Sequence, residues 1–332
     1  MKGMISRNSN VDFLRALGLL LIILAHVNAP DIIKQIRCFD VPMMLFISGL
    51  CSSKKSTSNY FQQTFKRVKR LIVPVWFFLS IYLSLLFVFQ QINLIPKIVD
   101  INFVLNSFLL NRNGGIGYVW IIRIFILISI VSPLLVWMVR KFSTPFKFLL
   151  IIFMGLVSLE LLYSLSLLSS CLFLESLINE LLMPIIAYSI PFAIGLLYTM
   201  DKKDSYKNIV CLFVLLSLYV LANYLHMGDF IVNSFKYPPR IFYIVYGVLM
   251  SLLVWSFVSR FSKRYNFMSF VGSNTIWIYL YHMPFTLFAN KFICNWTLQY
   301  IFIFLCSIVC FYLQYRLVIK TDSQLLKKYF LG

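Results

Sequence analysis

Charge is scarce in this sequence, and acidic charge scarcer still. Asp, Glu, Lys and Arg make up 12% of the 332 residues, with eleven acidic side chains against thirty basic ones. Soluble domains carry roughly 25% charge, so a water-facing surface wrapped around one core is excluded. No stretch of about 100 residues is polar enough to fold as a separate soluble domain. The seven cysteines include no Cys-x-x-Cys pair, and most sit in apolar runs. That pattern suggests neither a disulfide framework nor a zinc site, and reads as small hydrophobes in helices. Internal repeats, low-complexity tracts and clustered carboxylate pairs are also missing.

What is present is apolar sequence: 61% of the chain. Runs near twenty residues recur along its whole length, each long enough to span a bilayer. The spacing predicts ten transmembrane helices, near 11–29, 38–53, 71–90, 118–139, 146–169, 181–200, 207–225, 239–258, 267–289 and 296–315. The second is short enough to be re-entrant or broken. The expected fold is therefore an all-α integral-membrane bundle, one unit over 1–332. Near the start, Lys2, Arg7 and Arg15 precede "ALGLLLIILA" in the manner of a signal peptide, with "VNA" as a cleavage tripeptide. Pro30 disfavours cleavage, and the run is long enough to stay as a helix.

The net charge of +19 would point to nucleic acid in a soluble chain. Here the basic residues lie between apolar runs, so no nucleic-acid partner is expected and topology explains them. With the N-terminus in the cytoplasm, twenty-one of the thirty Lys and Arg residues fall in cytoplasmic segments and seven in outer ones, with Arg15 and Arg123 inside spans. Both termini are thus expected to be cytoplasmic. The longest loop, 91–117, faces outward.

Ionisable residues inside a membrane are costly and mark functional sites by default. Here they are Asp12, Arg15, His26, Arg123, Glu160 and His282. In "DFLRALGLLLIILAH", residues 12–26, Asp12 and Arg15 pair at i, i+3. Arg15 and His26 lie eleven residues apart, so they share a face with an axial separation of roughly 16 Å. One cleft along that face would join them; alternatively Asp12 and Arg15 are interfacial anchors and His26 merely ends the helix. His282, in "IWIYLYHMPF", falls by count at the depth of His26. Two imidazoles at one level suit acid–base chemistry, or His282 bonds a neighbouring helix. His226 reads as a surface residue.

In "TFKRVKRLIVP", Arg67 and Arg70 share a helical face ahead of a span that starts with Pro74 in its first turn. They either meet anionic lipid and set topology or clamp a phosphate-bearing cytosolic ligand. In "FDVPMMLFISGL", Asp40 and Pro42 open a span that Gly49 breaks, as backbone lining a cavity would be. Aromatic residues of the outer segments (Tyr118, Trp120, Tyr224, Phe230, Tyr237), with Asp229, Arg123 and Arg240, suit either a membrane-interface belt or stacking on a sugar.

These elements, in this order, resemble the membrane acyltransferase-3 family of integral-membrane O-acyltransferases. The first helix resembles its Asp…Arg…His signature, "VPMMLFISGL" its Val-Pro…Phe-x-x-Ser-Gly element, "KRVKRLIVP" its Arg-x-x-Arg…Pro motif, and "WIYLYH" its late Tyr-Leu-x-His. "KYPPR" resembles a subset described as sugar O-acetylases. Ala25 stands where a glycine often precedes the histidine, and Arg123 where many relatives are apolar.

The resemblance implies transfer of an acetyl group from acetyl-CoA, as a donor substrate, to a hydroxyl of a surface glycan or lipid-linked glycan in a bacterial plasma or inner membrane, without a metal. It implies His26 and His282 as catalytic residues, with His26 a general base or a transient acetyl carrier. His282 would orient it or stabilise an oxyanion. Arg15, Arg67 and Arg70 would hold the donor, and Asp12, Arg123 and Arg240 the acceptor. The other readings are a glycan transporter or flippase, which would want inverted repeats, and a membrane glycosyltransferase, which would want clustered carboxylates.

Overall fold

In a bilayer every backbone N–H and C=O must be satisfied within the chain, so an apolar chain of this kind resolves into helices. A computed structural model shows this, and describes residues 9–52, 60–141, 145–200, 217–221, 224, 231–260 and 266–331. Among them there are helices and no strands. The expected span at 207–225 lies mostly outside the described residues, as do His226, Asp229 and Phe230.

Helix α1 (Ser9–Leu24) is followed by α2 (Asp31–Ile36), a 3-10 turn at Arg37–Phe39 and α3 (Asp40–Ser52). Then come α4 (Tyr60–Gln91), α5 (Ile101–Phe108), α6 (Trp120–Lys141), α7 (Pro145–Leu168), α8 (Leu172–Leu177), a π-helical turn at Ile178–Leu182, and α9 (Met183–Met200). After a 3-10 turn at Val232–Phe235 the chain forms α10 (Ile241–Val258), α11 (Asn266–Ser273), α12 (Thr275–Phe292), α13 (Trp296–Ile319) and α14 (Gln324–Phe330).

Among the described residues, six segments are helical, long and apolar enough to cross a membrane: Phe61–Gln91, Gly117–Lys141, Phe146–Leu168, Leu172–Tyr198, Ile241–Val258 and Trp296–Ile319. They coincide with six of the ten expected spans. The side chains of α7 and α13 that face outward are large and apolar: Phe153, Met154, Leu161, Leu305, Val309 and Leu313 are all exposed. A patch of this extent is a liability in water; against lipid tails it is not. Serines inside these helices, such as Ser80, Ser84 and Ser129, return their hydroxyls to the carbonyl four residues back, so these donors are satisfied within their own helices. This is a multi-pass membrane protein.

Three expectations are corrected. α4 begins at Tyr60, so Lys66 to Arg70 are helical and Pro74 lies inside the helix, at the expense of one backbone hydrogen bond. α3 is an unbroken helix of 13 residues, and Gly49 does not interrupt it. Gly49 instead lets α3 and α9 touch. A Cβ at Gly49 would strike backbone atoms of Phe192 and Leu196, and one at Gly195 would strike those of Phe46 and Leu50. Small residues permit such close crossings, as in small-xxx-small membrane pairs. Finally, the expected span at 267–289 is two helices, α11 and α12, hinged at Asn274, whose amide side chain bonds the Phe270 carbonyl at 2.7 Å.

α3 sits at the centre, packed on α1, α9 and α10, with Val41, Met43, Leu45, Phe46 and Ile47 fully buried. α11 lies across the start of α1, its Gly272 against the Asp12 backbone.

Candidate active site

α1 ends in a tight turn, with the His26 N–H bonded to the Ile23 carbonyl at 3.0 Å. The turn is pinned from two sides. Asn290 donates to the His26 carbonyl at 3.1 Å, and the Asn28 N–H donates to Gln299 Oε1 at 2.9 Å. The imidazole is held by rings. His26 stacks on His282 with centroids 5.3 Å apart and planes at 28°, and meets the edge of Tyr118 at 4.5 Å. Tyr118 also faces His282, at 6.0 Å.

His282 lies mid-way along α12 and is fully buried. Its Nδ1 bonds the backbone carbonyl of Tyr279. A carbonyl only accepts, so Nδ1 carries the proton and the neutral ring presents a lone pair at Nε2. Nε2 is buried and has no protein partner. The Tyr279 hydroxyl donates to the Tyr118 carbonyl. One tyrosine thus ties His282 to the residue that packs on His26.

A cavity of about 700 Å³ approaches this pair. Arg15, Leu19 and Ile22 line it along one face of α1, Arg67, Arg70 and Pro74 along α4, and Ile276 and Tyr279 along α12. Ile22 is one turn before His26 and Tyr279 one turn before His282; neither histidine is itself in the lining. From Arg15 to Ile22 the α1 face rises roughly 10 Å. The charge is concentrated at the Arg15 end. Among the described residues, five cations line the cavity (Arg15, Lys66, Arg67, Arg70 and Lys328) and no carboxylate does. Arg15 and Arg67 both grip the end of α3. Arg15 donates to the Cys51 sulfur at 3.3 Å, and Arg67 to the Ser52 hydroxyl at 2.8 Å. Asp12, 3.5 Å from Arg15, is buried and lines neither this cavity nor the next.

A second cavity, of about 370 Å³, is lined by Trp120, Arg123, Asn179, Glu180, Lys236 and Tyr237 among others. Arg123 donates to Asn111 at 2.8 Å and lies 3.9 Å from Glu180. Trp120 and Tyr237 meet edge to face at 5.1 Å. The buried Asn179 Oδ1 has no protein partner. Arg240 lines neither cavity. Its guanidinium is taken by Glu160 at 2.6 Å and lies over the Tyr163 ring at 4.1 Å, an arrangement that joins α7 to the start of α10.

Lys236 links the second cavity to a charge cluster that was not evident from the sequence. Asp40 accepts from Arg37 at 2.7 Å and from Lys236 at 3.3 Å, and all three residues are buried. Two cations on one carboxylate leave a surplus of positive charge, and both cations lie within electrostatic reach of His26. Burial pushes the Lys236 ammonium down from the usual lysine range, while Asp40 holds it up. Arg37 and Asp40 show a hint of this in their i, i+3 spacing, but nothing local to Lys236 announces its partner. Among the described residues no group of three His, Cys, Asp or Glu side chains converges to hold a metal ion.

No curated protein matches the chain, and no solved structure does. A family model described as an acyltransferase domain matches residues 8–316, from the start of α1 to the last turns of α13. All the side chains of the histidine pair, the Arg37–Asp40–Lys236 cluster and the second cavity fall inside that match, and so do most of those lining the basic cavity. With the family model spanning nearly the whole chain and the membrane helices in place, this protein belongs to the acyltransferase-3 family.

Proposed function

We propose that this membrane acyltransferase moves an acetyl group from cytosolic acetyl-CoA to a hydroxyl of a cell-surface polysaccharide or its lipid-linked precursor. The observation that carries the reading is a cavity with five cations and no carboxylate that ends one turn from a stacked histidine pair. Coenzyme A carries its phosphates at one end and its thioester at the other. Arg67 and Arg70 take the phosphates, since guanidinium forks match phosphate oxygens, and the pantetheine arm runs past Arg15 toward His26. The excess of Lys and Arg on one side sets that end in the cytoplasm, with both termini.

The acceptor enters through the second cavity, where Trp120 and Tyr237 offer ring surface and Asn179, Glu180 and Arg123 offer hydrogen bonds. His26 takes the proton of the attacking hydroxyl as a general base. The hydroxyl oxygen bonds the thioester carbonyl carbon, the C–S bond breaks, and the proton passes to the departing thiolate to give CoA. His282 presents a lone pair, not a proton, in the tautomer that the Tyr279 carbonyl imposes. It is therefore suited to receive a proton beside His26 and not to donate to an oxyanion. The surplus charge of Arg37 and Lys236 stabilises the negative charge that develops on the carbonyl oxygen.

The direct test is deletion of the gene followed by mass analysis of the surface glycans. The expected result is loss of an acetyl group that the intact gene restores. Glycans unchanged in acetyl content, or reduced in amount with acetylation intact as loss of a flippase would leave them, contradict the proposal.

A further inference from the structure

One wall of the basic cavity is built by sequence beyond the residues that the family model matches, which end at 316. Helix α14 is capped by Ser323, whose hydroxyl accepts from the Leu326 N–H at 3.3 Å, and is clamped at its far end. Phe330 stacks flat on the buried Trp277, with centroids 5.0 Å apart and planes at 20°, and meets Phe77 edge-on at 4.9 Å. Trp277 Nε1 donates to the Tyr329 carbonyl at 2.8 Å, and Gln314 donates to the Phe330 carbonyl at 2.7 Å. These contacts join α14 to α4, α12 and α13 and fix its register over the cavity mouth.

The consequence is that Lys328 and Tyr329 join the lining, with Arg15, Lys66, Arg67 and Arg70 on the other walls. Lys327, one residue earlier, does not line it. The Lys328 side chain is exposed, and among the described residues no carboxylate lies within ion-pair distance of it. A lysine that served only to set topology or meet lipid headgroups would need no docked helix and no place in a cavity wall.

We infer that Lys328 is a phosphate-binding residue of the donor site, carried there by α14, and that it contacts a phosphate of the coenzyme A thioester together with Arg67 and Arg70, which line the same cavity. The inference rests on the reading of this cavity as the acetyl-CoA site. Lysine acts here as a mobile point charge that closes on a phosphate after the arginine forks have oriented it.

Binding of coenzyme A itself, the product that cannot transfer, separates this contact from catalysis. Calorimetry on the purified protein in detergent is expected to show about tenfold weaker CoA binding for Lys328→Ala, the scale of one charge-assisted phosphate contact. Lys328→Glu should lose more and Lys328→Arg less, while Lys327→Ala should bind as the unaltered protein does. The loss in Lys328→Ala should shrink at high salt, where a solvent-facing charge is screened. In transfer assays the KM for acetyl-CoA should rise with kcat retained. Phe330→Ala, which removes the clamp and not the charge, should weaken CoA binding in the same direction. Equal CoA binding by Lys328→Ala and the unaltered protein overturns the inference and leaves the donor site standing. Failure of the unaltered protein to bind CoA at all overturns the donor reading, and this contact with it.

Discussion

Asp40 carries more than its share of the buried charge, because two cations depend on it. Replacing it by Ala would leave Arg37 and Lys236 buried without a counter-ion, a change of about 3–5 kcal/mol in stability. Lys236→Met keeps the 2.7 Å Arg37–Asp40 pair and should cost distinctly less. Thermal unfolding of the detergent-solubilised variants compares the two; equal loss would contradict the view that Asp40 is the hub. At this scale the sequence singled out the two histidines that the structure stacks and Arg15, which lines the basic cavity, because ionisable residues in apolar runs are few and each is conspicuous. It did not reveal the Asp40 cluster, since Asp40 and Lys236 meet across 196 positions and each looked like an ordinary boundary residue. Arg240 was read with the outer-segment aromatics as an acceptor residue, yet its guanidinium is committed to Glu160. Conspicuous charge marks where burial needs explaining; only the partner says whether the explanation is chemistry or packing.

Among the elements, α3 and α9 determine how closely the centre of the bundle packs, and two glycines permit it. A Cβ at Gly49 or Gly195 meets backbone carbonyls on the facing helix, which cannot swing aside as a side chain can. Gly49→Ala and Gly195→Ala should therefore lower the unfolding temperature, despite the gain in helix propensity of about 0.5–1 kcal/mol that Ala has over Gly. Gly155→Ala serves as the contrast, since its nearest neighbours are Ile190 side-chain atoms at 3.6 Å; it should be neutral or stabilising. If all three behaved alike, the close crossing would not matter. Hydropathy located the long helices well, because a run of twenty apolar residues has few other fates. It misjudged Pro74 and Gly49, both read as boundaries by their local habits. Pro74 is carried by a helix of 32 residues whose preceding turns hold Arg67 against Ser52, and Gly49 serves a neighbour instead of ending its own helix. The hinge at Asn274 was likewise invisible to an averaged apolar pattern.

For the whole molecule, the arrangement is a bundle with a basic cavity, an aromatic and polar cavity that shares only α6 with it, and the histidine pair close to the end of the first. The all-helical membrane class was legible from composition alone. The existence of two separate cavities was not, because each draws its walls from helices far apart in sequence. In the proposed mechanism His26 takes the proton in transfer, with Arg15 roughly three turns away along α1 and Arg67 and Arg70 lining the same cavity from α4. The measurement that tests this most directly is transfer of labelled acetyl from acetyl-CoA to glycan acceptor by the reconstituted protein, with CoA binding measured alongside. His26→Ala is predicted to abolish transfer while binding CoA as the unaltered protein does. Transfer by His26→Ala at the rate of the unaltered protein would contradict the account at its centre.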